Sequence, residues 1–134
     1  MIVLDTNVMS ELMRREPEHV VLRWLDLQPS QSLWTTAISI FELQVGLERL
    51  QFGRRKQALE GGMRRLIDVV LDGRVLPFDL EAANAAATIA DRHRVDSQIA
   101  GIVASRRAVL ATRNPRHFAD AGIKLVDPWT DEDR

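Results

Sequence analysis

The chain opens on an apolar run, Ile2-Val3-Leu4, that stops abruptly at Asp5-Thr6-Asn7. Apolar side chains on consecutive positions suit a short strand covered on both faces, as in a parallel sheet. The same pattern recurs at Ser32–Thr35, Val75-Leu76, Val109–Ala111 and Lys124–Val126, each run ending in polar or turn-forming residues. Between these runs the apolar positions take helical spacing. Val8–Met13 reads as a short helix broken by Glu16-Pro17, and Glu18–Leu27 as a second with a stripe of Val20, Val21, Trp24 and Leu25. Ala37 to about Leu50 carries so many apolar residues (Ile38, Ile40, Phe41, Leu43, Val45, Leu47, Leu50) that it is expected to be mostly buried. Arg54–Leu71 follows as one helix weakened by Gly61-Gly62, then Leu80 to about His93, capped by Asp79. A helix of small and apolar residues starts at Asp96 and runs to Ala104. Strand–helix alternation of this kind predicts an α/β, three-layer domain, with a short central parallel sheet and helices on both faces. One domain is expected over residues 1–129, with 130–134 as a loose tail.

Composition removes several classes of chemistry. There is no cysteine, which excludes thiolate metal sites and thiol redox chemistry. The net charge of -1 argues against a general polyanion binder, although all 18 basic residues except Lys56 and Lys124 are arginine, whose planar fork suits phosphate. Without tyrosine and with few other aromatics, a base-stacking platform is poorly supported. No apolar run approaches the roughly 20 residues of a membrane span, and the N-terminus lacks a basic leader, so a cytoplasmic protein is expected.

The polar residues at the ends of these elements are the candidate chemistry. Asp5 falls at the carboxyl end of a predicted strand, where open α/β sheets bind ligands, although Asp5 or Asn7 also serves as a helix cap. Glu42 sits among apolar residues with Ser39 and Gly46 on its own face; its alternative is an ion pair with Arg49. Asp96 stands at a helix start, where capping again competes. Thr112-Arg113-Asn114 ends the fourth strand. Three carboxylates brought together raise one another's pKa unless a cation intervenes, and an all-oxygen set selects Mg²⁺ or Mn²⁺. Such ions promote phosphodiester hydrolysis. His19, His93 and His117 show no ligand spacing and read as surface residues.

In this order the motifs resemble the PIN-domain ribonucleases, and within them the VapC-type toxins of bacterial toxin–antitoxin pairs, the FitB-like branch in particular. The resemblance rests on Ile2-Val3-Leu4-Asp5-Thr6-Asn7, Ala37-Ile38 with Phe41-Glu42-Leu43 and Gly46, and Leu76-Pro77-Phe78-Asp79. It continues through Asp96 with Ile99-Ala100 and Ala104, Leu110-Ala111-Thr112-Arg113-Asn114, and Asp127-Pro128-Trp129. It implies a metal-dependent endoribonuclease in which Asp5, Glu42 and Asp96 hold Mg²⁺ or Mn²⁺. Thr6 and Thr112 would lend hydroxyls, and Asn114 would take a fourth position that is often aspartate. It further implies an RNA substrate, a small VapB-like antitoxin as partner and a homodimer. Related sequences carry a longer, glycine-containing connection where only 16 residues separate Asp79 from Asp96 here, and Asp91 is the rival for the third acid. The competing reading is a catalytically weakened PIN domain serving mainly to bind an antitoxin or RNA.

Overall fold

The computed structural model describes residues 1–91 and 96–130. Five short strands, β1 (Ile2–Leu4), β2 (Leu33–Thr36), β3 (Val75–Leu76), β4 (Val109–Ala111) and β5 (Lys124–Val126), form one sheet in the order β3-β2-β1-β4-β5. Every pairing is parallel: Val3 lies beside Trp34 on one side and Leu110 on the other. Six α-helices connect them: α1 (Thr6–Met13), α2 (His19–Leu27), α3 (Ala37–Glu48), α4 (Arg54–Arg65), α5 (Leu80–Ala90) and α6 (Ser97–Ser105). No helix among the described residues is long and apolar enough to cross a membrane.

Strand periodicity divides the interior into two cores. Val3, Trp34, Leu110 and Leu125 face a layer that includes Ala82, Ile89, Ile99, Ile102 and Val103 from α5 and α6. Their neighbours Leu4, Leu33, Ala111 and Val126 face the other layer, with Val8, Met9, Trp24, Leu47 and Met63 from α1 to α4. Consecutive strand residues point to opposite faces, so both faces of each strand must be apolar. The three-layer α/β expectation is met. From β1 the chain first builds outward through β2 and β3, then crosses back to add β4 and β5. The reversal falls between β1 and β4, and their carboxyl ends carry Asp5 and Thr112.

Three departures from the sequence reading have physical causes. The expected helix Arg54–Leu71 is α4 followed by one π-helical turn, Leu66–Val70. Gly62 in α4 lies so close to α1 that a Cβ would stand 2.5 Å from the Met13 carbonyl oxygen; this glycine permits a helix contact. Second, α3 is not mostly buried. Only Ser39 and Leu47 are fully buried, and Phe41 is 66% exposed. Apolar residues all round that helix exceed what one supporting layer can cover. Third, Asn114-Pro115 begins a 3-10 turn, Pro115–Phe118, whose Phe118 is buried. The expected end of α5 near His93, the connection before Asp96 and the tail beyond Thr130 lie outside the described residues.

Helices α5 and α6 pack backbone to backbone. A Cβ on Gly101 would meet the Ala82 carbonyl oxygen and the Ala86 Cβ, both at 2.6 Å, whereas one on Gly46 of α3 would meet nothing within 4 Å. Gly101→Ala is therefore expected to destabilise the fold by about 1–3 kcal/mol, the usual range for an overpacked core. Gly46→Ala should stabilise it by roughly 0.5–1 kcal/mol through helix propensity. Urea unfolding checks both; equal effects would contradict this packing.

Candidate active site

Asp5 is the first residue past β1 and is buried, while its N–H still donates to the Ala111 carbonyl of β4 at 2.9 Å. Its carboxylate receives two hydrogen bonds. The Thr6 N–H donates to Oδ1 at 2.9 Å, so Asp5 does cap α1, and the buried Thr112 hydroxyl donates to Oδ2 at 2.8 Å. Capping and site-building thus use different oxygens of one side chain. Asn7 locks the two strand ends together: its Nδ2 donates to Thr112 Oγ1 at 3.4 Å, and its Oδ1 accepts from the Arg113 N–H at 3.1 Å. The Asn114 N–H also donates to Thr112 Oγ1, at 3.2 Å.

Beside this pair, Thr6 Oγ1 donates to Ser39 Oγ at 2.9 Å, tying α1 to the first turn of α3, which Thr36 caps through the Ser39 N–H. One turn further on, Glu42 is exposed and forms no ion pair with Arg49 among the described residues. It lines a cleft of about 340 Å³ with Ile38, Phe41, Asp96, Ser97, Gln98 and Ile99. Asp96 has left-handed backbone (φ 52°) and makes no side-chain cap to α6. Instead its Oδ2 lies 3.0 Å from His117 Nε2. His117, expected as an ordinary surface residue, therefore belongs to the site, carried there by the 3-10 turn after Asn114.

The charge of Asp96 acts on both Asp5 and Glu42, and that of Asp5 on Glu42. Burial pushes the Asp5 carboxyl above its ordinary value and Asp96 adds to the rise, opposed by the Thr112 hydroxyl, the Thr6 N–H and His117. Glu42 is also raised, first by partial desolvation, then by Asp96 and Asp5, with the nearby Thr6 hydroxyl acting the other way. Asp91, the rival third acid, ends α5 and is not among the charges acting on either group. The Asn114 side chain makes no hydrogen bond among the described residues; its backbone alone joins the network.

A buried carboxylate and a neighbouring one, neither ion-paired among the described residues, leave a negative charge that hydroxyl and amide donors only partly offset. This oxygen-only donor set fits a hard divalent cation. Among the described residues no three acidic or histidine side chains already stand as a chelating cluster, and Asp96 is engaged by His117.

A parallel sheet of this order with Asp5 and Thr112 joined past β1 and β4 is consistent with a PIN domain, and the PIN domain family model matches residues 2–124: the chain belongs to that family. Within it, the chain is 36% identical to VapC ribonuclease Y4jK of Sinorhizobium fredii, over 96% of this chain and 98% of that protein. It is 34% identical to toxin FitB of Neisseria gonorrhoeae, over 98% of this chain and all of that one. The crystal structure of FitAcB from the same organism superposes with a TM-score of 0.84 at 32% identity, covering 97% of this chain and 99% of that one. The resemblance to VapC-type toxins of the FitB-like branch is thereby borne out.

Raised carboxyl pKa values in the metal-free protein carry a stability signature. A folded-state pKa above the unfolded value contributes stability that is complete below the unfolded value and disappears as pH rises through the folded one. For Asp5 the unfolded reference is 3.8. In EDTA, wild type should therefore lose stability relative to Asp5→Asn as pH climbs above that value, any hydrogen-bond cost of the substitution being a constant offset. Urea unfolding across pH measures the difference. A difference that stays flat would contradict the burial of an uncompensated charge.

Proposed function

We propose that this protein is a Mg²⁺- or Mn²⁺-dependent endoribonuclease acting as the toxin of a toxin–antitoxin pair. The observation that carries the reading is the placement of buried Asp5 past β1 at the switch point of a parallel sheet, with Glu42 and Asp96 lining one cleft beside it. Near-full-length similarity to a VapC ribonuclease and to toxin FitB supports it. Asp5, Glu42 and Asp96 would hold the cation, which when bound acidifies water and offsets the charge that builds on a phosphodiester during hydrolysis.

The chain's own residues set the stage for that chemistry. Thr112 and the Thr6 N–H fix the Asp5 carboxylate in one orientation, with Oδ2 and Oδ1 each holding one donor. Thr6, bonded to Ser39, holds the α1 and α3 parts of the site in register and shares its hydroxyl's influence with Glu42. Asn114 stands exposed at the rim with a free amide to orient water or substrate. Being neutral, it adds no charge for a second ion.

The partner in this reading is a small VapB-like antitoxin. The half-apolar cleft beside Glu42, where Ile38, Phe41 and Ile99 meet two carboxylates, offers a surface for an amphipathic segment with a basic group. A homodimer is part of the same proposal. Localisation in the cytoplasm, where such a pair would act, is too.

Two experiments test the reading. Purified protein should cut RNA with Mg²⁺ or Mn²⁺ present and not in EDTA. Asp5→Asn should lower the rate roughly 100-fold or more, the scale at which a preorganised electrostatic group matters. Cleavage that persists in EDTA would overturn the metal assignment. Expression of the gene by itself should stop growth with RNA degradation, and co-expression of the cognate antitoxin should restore it; unimpeded growth with intact RNA would speak for the weakened-domain alternative.

A further inference from the structure

An acid-lined site that must accept a polyanion needs cations placed to receive the substrate's other phosphates. Arg113 is the first residue past Thr112, and its N–H is held by Asn7 Oδ1, so it rides on the hydrogen-bonded network that fixes Asp5. Its guanidinium lies over the Trp129 ring, 4.7 Å from the ring centroid. Trp129 follows the neighbouring strand, β5, so the stack spans the ends of two adjacent strands on the site's side of the sheet. The indole packs from behind on the apolar layer of α1 to α4, and the Trp129 backbone N–H, not its indole N–H, donates to Asp127 Oδ1 at 2.9 Å.

What the stack leaves free is informative. The guanidinium side chain makes no hydrogen bond or ion pair among the described residues, and Asp127 on the same loop is not paired with it. The Trp129 ring is its contact, and among the described residues its N–H donors find no acceptor. Arginine used as a structural brace in this chain behaves differently: Arg74 bonds the carbonyls of Leu33, Ser30 and Val70, and Arg14 grips Glu11 with two hydrogen bonds. A guanidinium held over an aromatic ring with its donors unspent matches the two oxygens of a phosphodiester.

We propose that Arg113, positioned by Trp129, binds a backbone phosphate of the RNA flanking the one that is cut. This rests on the nuclease reading above and assigns the strand path to the β4–β5 side of the acids. The cation–π contact removes rotamer freedom before the substrate arrives, so less is lost on binding.

Binding is separated from cleavage by working in the Asp5→Asn protein with a short fluorescent single-stranded RNA and measuring anisotropy over a range of salt. Adding Arg113→Ala should weaken binding about tenfold at low salt and reduce the salt slope by about 0.7, the value for one lost contact to a single strand. Arg113→Lys should keep the slope and recover only part of the affinity. Trp129→Phe, which retains an aromatic face, should stay near the parent. In the otherwise native enzyme, Arg113→Ala should raise KM with little change in kcat and leave Mn²⁺ affinity unchanged.

If the parent binds RNA and Arg113→Ala binds equally well with the same slope, this assignment is wrong while the nuclease reading stands. Lowered thermal stability without a change in slope would likewise make Arg113 a structural brace and overturn it. If the parent binds no RNA and the native protein cuts none, the nuclease reading itself falls and takes this one with it.

Discussion

The structure turns on one carboxylate held where a charge is costly. Asp5 is buried at the end of a strand whose other residues are apolar, and the donors that reach it are a threonine hydroxyl and a backbone N–H. Those two bonds keep it oriented without neutralising it. Everything else near the site follows from that choice: Thr112 must end β4 beside β1, Asn7 must hold Thr112 in turn, and Thr6 must connect to the helix that brings Glu42. A buried acid whose charge two donors only partly offset destabilises the fold, and burial raises its pKa accordingly.

Much of this was legible in the sequence because the strands are written as uninterrupted apolar runs. Ile2–Leu4 and Val109–Ala111 fall on strands with the expected bounds, since residues covered on both faces leave little ambiguity. Asp5 and Thr112 could be placed at strand ends for the same reason. The cap of Asp79 was readable from side-chain chemistry alone. Exposure was not. The apolar residues of α3 gave no sign that Phe41 and Glu42 face outward, because a pattern that is apolar all round carries no direction.

The parts that escaped sequence reading depend on contacts between distant residues. His117 reaches Asp96 only because the 3-10 turn after Asn114 folds back across the site, and histidine spacing contains no trace of it. Asn7 looked like a helix cap, yet its amide spans to Thr112 and Arg113, more than a hundred positions away. Pro115 was the available signal, since proline at the first position of a turn marks a change of direction. Gly62 read as a weak point in a helix and is instead a close approach, as Gly101 is in α6, a distinction that only the facing backbone reveals.

The central claim is that Asp5, Glu42 and Asp96 make one cation site despite coming from three separate elements. Calorimetric titration with Mn²⁺ tests it most directly, on wild type and on Asp5→Asn, Glu42→Gln and Asp96→Asn with no RNA present. The account predicts binding by wild type and at least roughly tenfold weaker binding by each variant, since each removes a charged oxygen ligand that a hard cation prefers. Wild-type affinity in any one of the three, Asp96→Asn above all, would contradict it.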